Sequence, residues 1–424
     1  MQIYEIKRGD TLWLVARRFG MTVAQVANAN GFSQSSQLVV GQALVIPTPE
    51  HVYVVQPGDT LGDIALRLHT SVTDLAQYNA LVDPNQISAG QVLQVPQLPK
   101  PEIETNAYLT DFGNLGQAVT ADVGWLLTYL SPFSYHVTAQ GGLVPLTSSG
   151  VLSAASQRRI APLLVITNWL GQMFSSDVAH VVLNSETIQA TLVENILTTL
   201  RNLGYRGLNV DFEYVYPQDR EAYNRFLERL VQPLHTAGYT LSTALAPKVS
   251  ADEKGLLYEA HDYPVHGRLT DFVVLMTYEW GWAGGPPWAI APINKVRQVL
   301  DYAVTAIPKG KILMGVPVYG RDWTLPFQPG NIAHTFSPHA AVVQATTYQA
   351  EIQYHPVYQA PYYHYQDAQG QVHEVWFEDA RSIQAKCDVV RDYHLRGMSY
   401  WELPSTFPEN WAVLWHNFHL RKVH

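Results

Sequence analysis

Two patterns of apolar and polar positions divide this chain near residue 100. Before that point the pattern repeats. Tyr4, Ile6, Gly9, Asp10, Thr11, Leu12, Ala16, Asn30, Gly41, Gln42, Leu44 and Pro47 recur 49 positions later as Tyr53, Val55, Gly58, Asp59, Thr60, Leu61, Ala65, Asn79, Gly90, Gln91, Leu93 and Pro96, without insertion. Each unit reads as a short strand, a Gly-Asp-Thr turn that can cap a helix, an amphipathic helix, a second helix ending near Asn, and a closing strand. The units are predicted over 1–48 and 50–97. Proline-rich segments at Ile46–Glu50 and Pro96–Glu102 act as short, semi-rigid linkers.

From about Ile103 the pattern changes to apolar runs alternating with stretches of helical period. Strands are predicted near 107–112, 125–130, 162–168, 207–213, 240–246, 271–278, 312–318 and 397–402. Eight strands alternating with helices predict an α/β domain over 103–424, a (β/α)8 TIM barrel. The interval 322–381 is too long for one helix. Its Tyr362–Tyr365 and Val372–Phe377 runs flank the turn Asp367–Gly370, which predicts a small α+β insertion between strands seven and eight, forming one wall of a cleft.

The 424 residues, 47% of them hydrophobic, supply material for three domains, one large and two small. A net charge of -9 argues against nucleic acid and anionic lipid as partners, and no apolar run is long enough for a bilayer. The single cysteine, Cys387, rules out an intrachain disulfide and is expected to be a buried thiol. The chain enters its first repeat directly from Met1, which predicts synthesis without a signal peptide. Eleven Trp and 24 Tyr residues offer the aromatic faces that sugars need. A monomer is expected.

Candidate chemistry lies on the strand Arg206-Gly-Leu-Asn-Val-Asp-Phe-Glu213. With a period of two, Asn209, Asp211 and Glu213 share one face while Val210 and Phe212 face the other. Carboxylates at the carboxyl end of a barrel strand suit glycosidic cleavage, which needs an acid for the leaving oxygen and stabilisation of an oxocarbenium-like centre. Glu213 is the candidate acid. Asp211, about 7 Å away along the backbone, would raise its proton affinity. His416 with His419, and His364 with His373 across the predicted hairpin, lack a third ligand, so neither metal nor cofactor is predicted.

This strand resembles the D-x-x-D-x-D-x-E signature of glycoside hydrolase family 18, with Arg206, Asn209, Asp211 and Glu213 at its four positions. Further blocks follow in family order: Met276-Thr-Tyr278-Glu279, Gly315-Val-Pro-Val-Tyr319-Gly-Arg321, and Gly397-Met-Ser-Tyr-Trp401-Glu402. The resemblance implies substrate-assisted hydrolysis: Asp211 orients the 2-acetamido group of the sugar, Tyr278 donates to it, and Trp401 floors the subsite. It places Asn209, Met276, Glu279, Tyr319 and Arg321 among the substrate-binding residues. Asn168 and Trp169 stand where the family has S-x-G-G and should line the cleft in another way. Asn209 replaces an Asp and is expected to hydrogen-bond Asp211.

The repeats resemble LysM, a β-α-α-β module that binds N-acetylglucosamine-containing glycans. That implies glycan contacts from Gly9, Asp10, Thr11 and Asn30, and from Gly58, Asp59, Thr60 and Asn79. Two such modules before a family 18 barrel resemble the cortex-lytic N-acetylglucosaminidases of spore-forming bacteria, implying peptidoglycan or cortex glycan strands as partner and the spore coat or cortex as location. A LysM-bearing chitinase or general wall endo-N-acetylglucosaminidase is the alternative. Glu213 argues against a non-catalytic glycan-binding protein. A barrel beginning near Ile103 is expected to keep its activity without the repeats.

Overall fold

The computed structural model describes residues 1–96 and 99–423; the linker residues Gln97 and Leu98 lie outside the described residues. In the first repeat, β1 (Gln2–Glu5) pairs antiparallel with β2 (Ala43–Ile46), and helices α1 (Leu12–Arg18) and α2 (Val23–Ala29) lie between them in sequence. The second repeats the order with β3 (Val52–Val54), α3 (Leu61–Arg67), α4 (Val72–Tyr78) and β4 (Val92–Gln94). Thr11 and Thr60 cap the first helix of each unit, accepting from the amides of Leu14 and Asp63.

These contacts correct part of the expected glycan surface. Asn30 is fully buried; its amide donates to the carbonyls of Val26 and Val45 and its oxygen accepts from the Val45 amide at 2.7 Å. Asn79 ties α4 to β4 through Leu75 and Gln94 in the same way. Asp10 and Asp59 accept from the hydroxyls of Tyr4 and Tyr53 and from backbone amides. Breaking the partners of the fully buried Asn30 to reach a sugar would cost about 1 to 3 kcal/mol, whereas Asn79 is half-buried. Gly9, Thr11, Gly58 and Thr60 remain exposed.

Eight parallel strands close the barrel: β5 (Glu102–Leu109), β6 (Tyr129–Pro132), β7 (Ala161–Thr167), β8 (Gly207–Asp211), β9 (Thr240–Leu245), β10 (Phe272–Leu275), β11 (Ile312–Pro317) and, after the insertion, the strand Gly397–Leu403. The first two begin and end away from their predicted positions. Glu104 and Asn106 sit inside β5, paired to Arg396 and Ser399, so this strand carries polar residues where an apolar run was sought. Gly124–Leu126 forms a 3-10 turn, and only the later part of the apolar 125–130 segment becomes strand.

The insertion is an antiparallel five-stranded sheet with one helix. Its strands are β12 (Gly320–Leu325), β13 (His334–Phe336), β14 (Gln353–His355), β15 (Ala360–Gln366) and β16 (Val372–Trp376), in spatial order β13-β12-β16-β15-β14. The register sets His364 opposite Glu374 and Tyr365 opposite His373, so the two histidines do not face each other. His416 lies in the last turn of a helix and His419 begins a strand, so the two do not lie on one helix.

The first repeat is not a detachable appendage. Ala43 and Val45 of β2 belong to the same apolar core as the barrel residues Ala380, Ile383, Val413 and Leu414, and Val39 packs with the insertion's Ala341, Ile352 and Phe377. A barrel starting near Ile103 would expose these surfaces. Cys387 is fully buried. Among the described residues, no helix is long and apolar enough to cross a membrane.

Candidate active site

β8 delivers Asn209 and Asp211 to the barrel interior, and the chain leaves the strand at Asp211, so Glu213 stands on the loop beyond it. That loop is clamped from the neighbouring strand. The Asn168 side chain accepts from the Glu213 amide at 3.0 Å and donates to the Glu213 carbonyl at 2.8 Å, while also donating to the Ser175 carbonyl. Asn168 is fully buried, so it positions Glu213 and does not itself line the cleft. On the other side, His261 accepts from the Ala246 amide through Nδ1, which leaves its Nε2 proton to donate to the Phe212 carbonyl at 2.9 Å. Burial lowers His261 to about 4, which keeps it neutral in this bridge.

Asp211, Glu213, Met276, Tyr278, Glu279, Trp169 and Trp401 line one cavity of about 550 Å³, and the aromatic residues Tyr108, Phe133, Tyr214, Tyr258, Trp280 and Trp282 are among the others in its wall. The aromatic lining is built partly by ring-on-ring packing: the Trp401 ring meets Phe133 edge to face at 4.8 Å and Tyr108 at a tilt at 5.4 Å between centroids. Trp282 is 54% exposed at the rim, available to the face of a sugar.

Asn209 departs from expectation. Its oxygen accepts from the Tyr108 hydroxyl at 3.0 Å and its amide donates to Ser242 Oγ at 3.0 Å. Both polar ends are committed below the cavity, so it neither bonds Asp211 nor reaches a ligand. Asp211 consequently keeps one buried carboxylate oxygen, Oδ1, without a partner. Burial raises Asp211 to about 7. Glu213 is raised well above the ordinary carboxyl range, first by burial and then by the charges of Asp211 and Glu279. Glu213 therefore holds a proton at neutral pH, which is the state a general acid requires.

Glu279 adopts a left-handed backbone (φ 72°) and is seized by its neighbours: Arg321 contacts its two oxygens at 2.8 and 3.0 Å, and the Tyr319 hydroxyl donates to it. Tyr319 and Arg321 thus reach the first cavity through Glu279. They line a second cavity of about 430 Å³ directly, together with Thr335, Phe336 and Ser337 of the insertion and Trp401 and Glu402 of the last strand. Trp401 is common to both. Burial raises the Glu402 carboxyl, and its Oε2 has no partner. The sequence pattern did not single out Tyr108, Ser242, His261 or Tyr258. Tyr108 falls within a predicted strand, but its partner Asn209 lies 101 positions away, and His261 acts through the backbone from a loop with no motif.

Comparison with known proteins agrees with this geometry. The model for Glycosyl hydrolases family 18 matches residues 153–405, and that for the LysM domain matches 4–47 and 53–96. The chain is 50% identical to the cortical fragment-lytic enzyme of Bacillus subtilis (strain 168), covering 100% of this chain and 99% of that protein. Identity to the enzyme of the same name from Bacillus cereus is 47%, again over 100% and 99%. Among solved structures, the Bacillus cereus spore cortex-lytic enzyme SleL superposes with a TM-score of 0.93 at 42% identity, covering 99% of this chain and 98% of that one.

Proposed function

The chain belongs to glycoside hydrolase family 18, and from that premise we propose that it hydrolyses the β-1,4 bonds of N-acetylglucosamine in spore cortex peptidoglycan, with retention of configuration, during germination. The observation that carries the reading is the pair of unlike carboxyls in one aromatic cavity: Glu213 protonated, and Asp211 with an oxygen to spare. Glu279 is held by Arg321 and Tyr319, and membership of family 18 implies that the nucleophile is the substrate's own acetamido oxygen.

In the first step Glu213 gives its proton to the glycosidic oxygen as the bond to C1 breaks. The acetamido oxygen closes on C1 from the opposite face, forming an oxazolinium whose N–H donates to Asp211 and whose oxygen side meets the Tyr278 hydroxyl. Water then attacks C1 from the face the leaving group vacated, returning a proton to Glu213 and reopening the acetamide. Two inversions give net retention. Trp401 forms the floor, and Met276 and Trp169 line the walls, beside this sugar. The exposed turns around Gly9, Thr11, Gly58 and Thr60 are the parts of the repeats available to the glycan.

Proton NMR of the first product formed from cortex fragments should show the β anomer. Initial appearance of the α anomer would eliminate the acetamido mechanism. Glu213→Gln should fold and bind fragments while losing nearly all hydrolysis, because the amide has no proton to give. Product analysis on cortex, vegetative peptidoglycan and chitin in parallel separates a cortex enzyme from a chitinase.

A further inference from the structure

We propose that the first repeat is a fixed brace of the catalytic barrel, holding the insertion that walls the cleft; the inference rests on reading that cleft as the hydrolytic site. The two repeats keep the same 49-residue register, yet only the first buries its outer face. Val39, Ala43 and Val45 are buried against the insertion and the barrel, whereas their counterparts Ser88, Val92 and Gln94 are exposed, Val92 to 56%. Glu5 forms an ion pair with Arg381 at 2.8 Å, and its counterpart is Val54. The contacting positions are thus among those at which the duplicated modules differ.

The joint is close and polar at its centre. The Ile352 amide donates to the Val40 carbonyl at 2.9 Å, and Arg381 donates to the Gly41 carbonyl at 3.0 Å while Asp379 holds the same guanidinium. Gly41 has a positive φ of 82°, and a Cβ placed there would stand 1.7 Å from the Ile352 carbonyl oxygen. Its twin Gly90 has a φ of 85°, and a Cβ there would meet nothing within 4 Å. From this joint the contacts run inward: Val39 shares a core with Ala341, Ile352 and Phe377, onto which Phe336 packs, and Phe336 faces the second cavity beside Trp401. The same sheet carries Arg321, which grips Glu279 at the first cavity. The brace therefore sets the position of a cleft wall without lining the cleft itself.

The twin glycines supply a matched test in the full-length chain. Gly41→Ala and Gly90→Ala impose the same left-handed strain on their own modules and differ in the Ile352 contact. Amide hydrogen exchange over 338–355 is expected to speed up about tenfold in Gly41→Ala and to stay at the parent rate in Gly90→Ala. The KM for soluble cortex fragments should rise several-fold in Gly41→Ala with kcat within about twofold, because the wall and not the acid is displaced. Glu5→Gln, which keeps the shape of the joint and removes its charge, should shift both readouts the same way by less, and it serves if Gly41→Ala does not fold. Equal behaviour of the two alanine variants would overturn the brace. Faster exchange with unchanged KM would overturn its role in positioning. The exchange measurement needs no substrate, so a wrong assignment of the reaction would appear as an inactive parent protein and leave that readout standing.

Discussion

Asp211 and Glu213 occupy the same buried pocket, and their protonation can be followed with two substitutions that do not touch each other. Asp211 has an ordinary value of 3.8 and is lifted to about 7 by burial. The folded chain thus holds this proton more tightly than the unfolded chain. Its stabilising contribution is complete below about pH 4 and is lost as pH rises through about 7. Asp211→Asn is neutral at every pH and should melt above the parent by a margin that widens from acid to mildly alkaline buffer, while hydrolysis collapses. A margin independent of pH, read by calorimetry, would show that Asp211 is not buried in this way. At Glu279 the sign is different. Its charge is one of the causes that raise Glu213, so Glu279→Gln should move the alkaline limb of the kcat/KM profile to lower pH, with loss of the Arg321 contact also raising KM. An unmoved limb would mean that the acid is not Glu213.

At the scale of elements, the site depends on how neighbouring strands hold the loop after β8. Asn168, at the end of β7, makes both of the hydrogen bonds that fix the Glu213 backbone. Asn168→Ala should lower kcat by about tenfold to a hundredfold, equivalent to about 1 to 3 kcal/mol, with little change in KM; Asn168→Asp, which restores only the acceptor, should recover part of the rate. Equal rates for the two variants would mean that the clamp does not act through the Glu213 amide. This role was not legible in the sequence, where Asn168 and Trp169 were read alike as cleft lining and only Trp169 lines it. The period-two pattern did reveal the face shared by Asp211 and Glu213, because a strand buried on both sides leaves polar residues few reasons to be there. The same reasoning missed Asn209's partners, Tyr108 and Ser242, since cross-strand hydrogen bonds depend on barrel closure and register. It misplaced β5 because Glu104 and Asn106 are satisfied by residues nearly 300 positions away, a compensation no local window contains.

At the scale of the molecule, the two repeats resemble each other in fold and differ in what they touch. The first shares apolar cores with the barrel and the insertion. The second has its own small core and meets the barrel through polar contacts such as His69 to Asp388 at 3.1 Å and Arg391 to His69 at 2.7 Å. Exposed polar contacts of this kind contribute at most about 1 kcal/mol each, so removing the second repeat leaves the barrel's own core covered, while the first repeat loses the packing of Val52 and Val54 and the bonds from Gln2 to the Val54 backbone. A chain lacking residues 50–97, rejoined through a short flexible linker, should therefore hydrolyse soluble fragments at close to the full-length rate. Its hold on insoluble peptidoglycan should fall by about tenfold or more, because a glycan strand engaged by one site fewer loses the effective concentration that tethering provides. A chain beginning at residue 103 should behave differently, melting lower and losing soluble activity as well, since it leaves Ile352, Phe377 and Ala380 without the first repeat's cover. Sedimentation with purified wall, the soluble rate and the melting temperature of the two truncations give three readings that the roles of targeting and bracing predict independently. If both truncations keep the full soluble rate and lose wall binding alike, the repeats act only as anchors and the apolar joint of the first has no bearing on catalysis.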